Sequence, residues 1–280
     1  MSATIFGIPK IDGHCHVLDP ARFSYPADIP YQPRGQEVGT AAYFSAVMAA
    51  YGVRHALLVG PNSGYGTDNR CLLDAIASGQ GRFKGVAVVP ADISRDALTE
   101  LQAQGIVGIA FNVALHGLAY YDDIDPLLAH LKTLDMWAQF QVSGDQLVQV
   151  LPQIERSAVK TMIDHCGRPI LADGLSAPGV QALLQLGRSG SSVIKLSGFA
   201  KFSQQAYPFD DVRAHVAALM QAFGPERCIW ASDWPYLKAE SRLDYGTLLS
   251  LAERWFTPEQ CRHMMWDAPL KLFGWQTKND

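Results

Sequence analysis

The sequence predicts a single-domain α/β protein, one (β/α)8 (TIM) barrel over residues 1–280. Three observations predict it. Eight short apolar runs rich in β-branched and aromatic residues recur along the chain, and amphipathic stretches separate them. The runs are apolar almost throughout rather than alternating, as strands covered on both faces are. No segment rich in Pro, Gly or Ser divides the chain, and 280 residues is close to the roughly 250 that such a barrel takes. A doubly wound open sheet is the alternative, and eight successive units favour closure.

In order, strands are expected over 11–17, 55–60, 85–89, 107–112, 136–142, 161–165, 193–197 and 229–232. Helices are expected over 40–51, 68–78, 94–104, 124–134, 146–155, 179–187, 210–223 and 243–253. The longest irregular segment, 18–39, follows the first strand, and long loops on the C-terminal rim of a barrel carry function. Gly224-Pro225 ends the seventh helix and leads into strand eight. Thr257-Pro258-Glu259 reads as an N-cap with Pro at the first helical position, opening a last helix over about 257–273. Met264-Met265-Trp266 is expected to pack that helix onto the barrel, with a homo-oligomer contact as the alternative.

Composition narrows the function classes. A hydrophobic share of 48% with 18% charged residues excludes a disordered or collagen-like chain. The net charge is −4 and the 23 basic residues are scattered, so no nucleic-acid footprint is present. Five cysteines, Cys15, Cys71, Cys166, Cys228 and Cys261, form no CxxC pair, which argues against a disulfide framework or a zinc knuckle. The stretch 101–121 lacks Asp, Glu, Lys and Arg, but Gln102, Gln104, Gly105, Gly108, Asn112, His116 and Gly117 make it too polar to span a membrane. The first ten residues lack a basic start and apolar core, so a cytoplasmic protein is expected.

Three motifs carry chemistry. In Asp12-Gly13-His14-Cys15-His16, strand alternation puts His14 and His16 on the same side, able to converge inside the barrel mouth. In Trp230-Ala231-Ser232-Asp233-Trp234-Pro235, Asp233 stands where strand eight meets its loop, on the catalytic face. In Asp164-His165-Cys166-Gly167-Arg168-Pro169, His165 ends strand six. Each has a bland alternative: a satisfied core histidine pair, a turn-capping aspartate, a buried histidine. Three such signals at strand ends of one barrel favour a site.

Together these residues resemble the amidohydrolase superfamily, in its 2-pyrone-4,6-dicarboxylate hydrolase-like, lactone-cleaving branch. The resemblance extends through Tyr31, Gly66-Thr67-Asp68-Asn69, Phe111-Asn112 and Lys195-Leu196-Ser197-Gly198. It implies a hydrolase that opens a small carboxylated lactone, either 2-pyrone-4,6-dicarboxylate-like or a sugar-acid lactone. Asp233 would activate water, and His14, His16 and His165 would polarise the carbonyl. The superfamily's metal-dependent members add a lysine or glutamate after strand four and a histidine after strand five. This chain has Phe111-Asn112 and Gln139-Phe140-Gln141 there. No metal is expected to be required, and a divalent ion such as zinc on His14, His16 and Asp233 is the alternative.

The branch also places arginines on substrate carboxylates. Here Ala110 replaces one and Lys201 another, while Arg168 is kept. One carboxylate is therefore expected on Arg168 or Lys201, with Tyr31, Ser63, Asn69, Asn112 and Gln141 on hydroxyl or carbonyl groups. The rival readings are a zinc-dependent decarboxylase or lactone isomerase of the same superfamily, and a non-catalytic binder on a retained barrel.

Overall fold

Consecutive strands are neighbours throughout one eight-stranded parallel sheet, in the order β1 to β8. They are β1 (Lys10–Cys15), β2 (Val53–Val59), β3 (Phe83–Ala87), β4 (Ile106–Asn112), β5 (Trp137–Gln141), β6 (Thr161–Ile163), β7 (Ser192–Leu196) and β8 (Cys228–Trp230). This computed structural model describes residues 4–29 and 31–276. The sheet closes just past β8, where Asp233 N donates to His14 O at 2.9 Å and His16 N donates to Trp234 O at 2.7 Å. The expected barrel is thus formed, and its closure runs through two of the three motifs.

The helices are α1 (Ala41–Ala50), α2 (Arg70–Ser78), α3 (Arg95–Ala103), α4 (Val113–His116), α5 (Asp125–Thr133), α6 (Gln146–Ser157), α7 (Pro178–Ser189), α8 (Arg213–Phe223) and α9 (Tyr245–Trp255). Thr40 and Ser94 cap α1 and α3 by accepting a backbone N–H three residues on. Inward-facing Ile11, Leu57, Val59, Val86, Met162, Val193 and Ile229 fill the barrel, and Phe273 and Trp275 join the same cluster. Burying each such side chain contributes about 1.5–3 kcal/mol. None of the described helices is long and apolar enough to cross a membrane.

The last helix departs from the expected continuous 257–273. It divides into α10 (Pro258–Arg262), a wider π turn (His263–Asp267) and α11 (Ala268–Phe273). Thr257 opens it as a capping box, exchanging hydrogen bonds with Gln260. Met264 and Met265 are buried, as packing onto the barrel requires.

One local feature aims the site. Across β1 and β2, Asp12 pairs with Ala56 but Cys15 with Leu58, so three residues of β1 span two of β2. This is a β-bulge at Gly13. Ile11 faces the barrel interior, while Cys15 joins the cluster between sheet and helices. Without the extra residue Cys15 would share the inner face, and both histidines would point outward. A side chain at the bulge has no room, since a Cβ on Gly13 would lie 2.9 Å from Trp230 O.

Candidate active site

Strand ends on one rim bring four side chains to one point. Asp233 Oδ1 lies 3.6 Å from His16 Nε2, 3.6 Å from His165 Nε2 and 3.8 Å from His14 Nε2. His14 Nε2 and His16 Nε2 are 3.3 Å apart. All four residues are buried. The lines drawn from sequence to His14, His16, His165 and Asp233 therefore meet in space. β6 stops at Ile163, short of the expected 165, because His165, Cys166, Gly167 and Arg168 all have positive φ (48°, 56°, 72° and 44°). Such left-handed backbone is unfavourable for non-glycine residues and concentrates at functional sites. It swings His165 and Arg168 into the barrel mouth. Gly198 makes room, since a Cβ there would sit 2.7 Å from His165 Nδ1.

Behind β1, Asp12 faces outward and anchors both halves of the closure. Its carboxylate accepts from His14 N (3.2 Å), Ser232 N (3.0 Å), Ser232 Oγ (2.5 Å) and Tyr245 OH (2.8 Å). Each oxygen thus accepts two hydrogen bonds, each worth about 0.5–1.5 kcal/mol net.

Beneath the histidines lies a charged layer that the sequence reading did not assign to the site. Lys195 Nζ is 3.1 Å from Asp164 Oδ1 and 3.1 Å from His14 Nδ1, and it donates to Gln139 Oε1. Gln139 Nε2 donates to Asp164 Oδ2 at 2.8 Å. The signal was available: Lys195 and Gln139 interrupt otherwise apolar strands at inward positions. A buried lysine is rare unless paired.

Electrostatics follow from this packing. Burial lowers His14 to about 4, helped by the Lys195 cation and opposed by Asp164. Burial also lowers His165, to about 3, against the pull of Asp233. Both rings are neutral at pH 7. Burial alone would raise Asp233, but the Lys201 ammonium 3.0 Å from Oδ2 and the surrounding imidazoles hold it well below the usual carboxylate range. With the rings neutral, Lys201 is the cation that keeps Asp233 ionised. Asp164 is likewise held down, against burial, by Lys195 and His14.

These groups form the floor of a cavity of about 830 Å³, within the usual range for a small-molecule site. Ser63, Asn112, Gln141, Arg168 and Lys201 line it, together with Asn62, His116 and Lys238, which the sequence did not single out. Arg168 Nε is buried without a hydrogen-bond partner among the described residues. Two expected residues are elsewhere. The Asn69 amide bridges the β3 end, donating to Val88 O at 2.8 Å and accepting from Val88 N at 3.2 Å. The Tyr31 hydroxyl donates to Glu37 outside the cavity, and its ring lies under Lys238 Nζ at 4.5 Å. In this structure each of these side chains is engaged in loop contacts. Asn112 both lines the cavity and caps α4, accepting from Leu115 N at 3.1 Å.

His14, His16 and Asp233 place one ligand atom each within 4.8 Å of one another. Two imidazole nitrogens and a carboxylate oxygen are a donor set that suits a divalent metal with an open position. By position and donor type the residues fit such an ion.

A family model described as Amidohydrolase matches residues 11–275. The chain belongs to the amidohydrolase family. It is 30% identical over 280 residues to a 4-sulfomuconolactone hydrolase of Rhizobium radiobacter, covering 96% of this chain and 92% of that one. It is 28% identical to a probable 2-pyrone-4,6-dicarboxylic acid hydrolase of Acinetobacter baumannii, whose crystal structure holds citric acid. That match has a TM-score of 0.84, over 95% of this chain and 100% of the other. An amidohydrolase of Burkholderia multivorans, solved with zinc, shares the fold at 21% identity, with a TM-score of 0.75 over 96% of this chain and 100% of that one.

Proposed function

We propose that this amidohydrolase opens the ring of a small carboxylated lactone by adding water to its carbonyl. One observation carries the reading. Three imidazole edges surround an ionised Asp233 at the floor of a cavity in which the buried Arg168 Nε has no hydrogen-bond partner among the described residues. The lactone hydrolases among its relatives support the same reaction class.

In this reading Asp233 takes a proton from a water poised between it and the carbonyl. The water oxygen bonds to the carbonyl carbon, and the charge on the carbonyl oxygen is met by imidazole N–H groups and by Lys201. The ring C–O bond then breaks. The proton on Asp233 passes to the departing ring oxygen, leaving a hydroxyl and a carboxylic acid that releases the second water proton to solvent, and Asp233 is again ionised. Lys201 serves the first step by keeping Asp233 deprotonated.

Arg168 would take the substrate carboxylate, since a guanidinium offers paired donors to two oxygens. Part of the cavity wall, Asn62, Ser63, Asn112, His116 and Gln141, is polar without formal charge. Such a wall suits hydroxyl or carbonyl groups better than a second carboxylate, which favours a sugar-acid or monocarboxylate lactone over a planar dicarboxylate. A divalent metal would be held by His14 Nε2, His16 Nε2 and Asp233 Oδ1, and when bound it would supply a Lewis acid for the carbonyl.

The test is a panel: 2-pyrone-4,6-dicarboxylate, 4-sulfomuconolactone, and sugar-acid lactones with one carboxylate, each followed by acid release at constant pH. Turnover of at least one carboxylated lactone, and none of its uncharged analogue, is expected. Carbon dioxide release or ring isomerisation instead of acid production would replace hydrolysis by a rival reaction of the same barrel.

A further inference from the structure

The layer under His14 fixes where that ring carries its proton. An ammonium has three N–H donors and no acceptor. The three neighbours of Lys195 Nζ are Gln139 Oε1 at 2.5 Å, Asp164 Oδ1 at 3.1 Å and His14 Nδ1 at 3.1 Å. Gln139 cannot turn its amide round, because its Nε2 is engaged by Asp164 Oδ2 at 2.8 Å. The first two neighbours each take one N–H. The third N–H points at His14 Nδ1, where only a lone pair can receive it.

The other side of the ring agrees. His16 Nδ1 faces Val59 O at 2.8 Å, and a carbonyl only accepts. With its Nδ1 donating to that carbonyl, His16 offers Nε2 as the acceptor, 3.3 Å from His14 Nε2. A proton on His14 Nε2 pairs a donor with an acceptor at both Lys195 and His16, and leaves the Nδ1 lone pair and Asp164 Oδ1 bridged by the Lys195 ammonium that donates to both. A proton on Nδ1 would set an N–H against the ammonium and two lone pairs against each other. Asp164 Oδ1 also lies 3.2 Å from His14 Nδ1. It is the carboxylate partner that metal-ligating histidines commonly use for Nδ1–H, but Lys195 stands at the same nitrogen.

We propose that Lys195 is a positioning residue that holds His14 as the Nε2–H tautomer, aiming its proton into the cavity and opposing metal coordination through that nitrogen. In the hydrolytic reading, His14 then donates to the developing oxyanion. Only this kinetic consequence rests on the proposed function; the tautomer does not.

The experiment uses the full, chelator-treated protein with ¹⁵N-labelled histidine. Long-range ¹H–¹⁵N spectra, assigned with His14→Gln, are expected to place the His14 proton on Nε2. Lys195→Met removes the competing donor without large loss of volume. It is expected to move the proton to Nδ1, tighten zinc binding by about tenfold or more, and lower metal-free kcat with little change in KM. A wild-type spectrum with His14 protonated on Nδ1 overturns the proposal, even should the variant not fold. A folded Lys195→Met with unchanged tautomer and zinc affinity overturns it too. An Nε2–H wild type that turns over no lactone supports the proposal and counts against the hydrolase reading alone.

Discussion

Placing an alanine at Gly13 tests how the fold aims the site. Its Cβ would meet Trp230 O at 2.9 Å and Ile229 Cδ1 at 3.1 Å, and the first is backbone that cannot rotate away. Reaching an ordinary contact of 3.4 Å needs a movement of about 0.5 Å between β1 and β8. Forcing a methyl into a filled site costs about 1–3 kcal/mol, which at about 2–4 °C per kcal/mol lowers Tm by roughly 2–12 °C. The same movement separates His14 from Asp233, which sit on the two sides of that seam. Misplacement by 1 Å can cost about 100-fold, so kcat/KM for the lactone substrate is expected to fall about tenfold. Thr257→Ala separates the two effects: losing its capping box costs about 0.5–2 kcal/mol far from the cavity, and should lower Tm while leaving kcat/KM intact. Thermal melts and steady-state kinetics at a temperature where every variant is folded make the comparison. A Gly13→Ala enzyme with wild-type kcat/KM would refute the argument that the bulge sets the histidine face.

Other outcomes follow from the same geometry. Lys201→Met removes the cation 3.0 Å from Asp233, so the acid limb of the kcat/KM profile should move to higher pH; an unmoved limb would deny Lys201 its role. Arg168→Met should raise KM for a carboxylated lactone about 10- to 100-fold, the worth of a charged hydrogen bond at about 1.5–3 kcal/mol, with a much smaller change in kcat. Stability should fall as pH drops from about 6.5 toward 4. His14 and His165 are held below their ordinary value, so in this window the unfolded chain binds protons that the folded one refuses. The depressed carboxylates of Asp164 and Asp233 add their loss only below about 4. Melts across pH 4–8 read this directly, and a flat profile would contradict the buried, neutral rings.

Much of the fold was legible because parallel strands covered on both faces read as apolar runs, and each kept its place in the ring of eight. Element ends were less so. β6 stops before His165 because the chain turns left-handed there, and nothing in His-Cys-Gly-Arg except the glycine announces that. The last helix widens at 263–267, a packing choice without a residue signature. At the site, alternation correctly put His14 and His16 on one side, yet only the register against β2 says which side. Tyr31 and Asn69 belong to loops whose side chains found nearer partners, a competition that residue type does not settle. Lys195 and Gln139 are the reverse case. Each is polar at an inward position of an apolar strand, and they build the layer on which His14 rests.

In the proposed reaction Asp233 and its imidazoles hydrolyse a carboxylated lactone. The most direct test is the rate of lactone opening by chelator-treated protein of verified metal content, wild type against Asp233→Asn. Sustained turnover by the stripped wild type, falling by several orders of magnitude in the variant, is the expected result. Near-full activity in Asp233→Asn, or turnover that returns only when metal is restored, would contradict it.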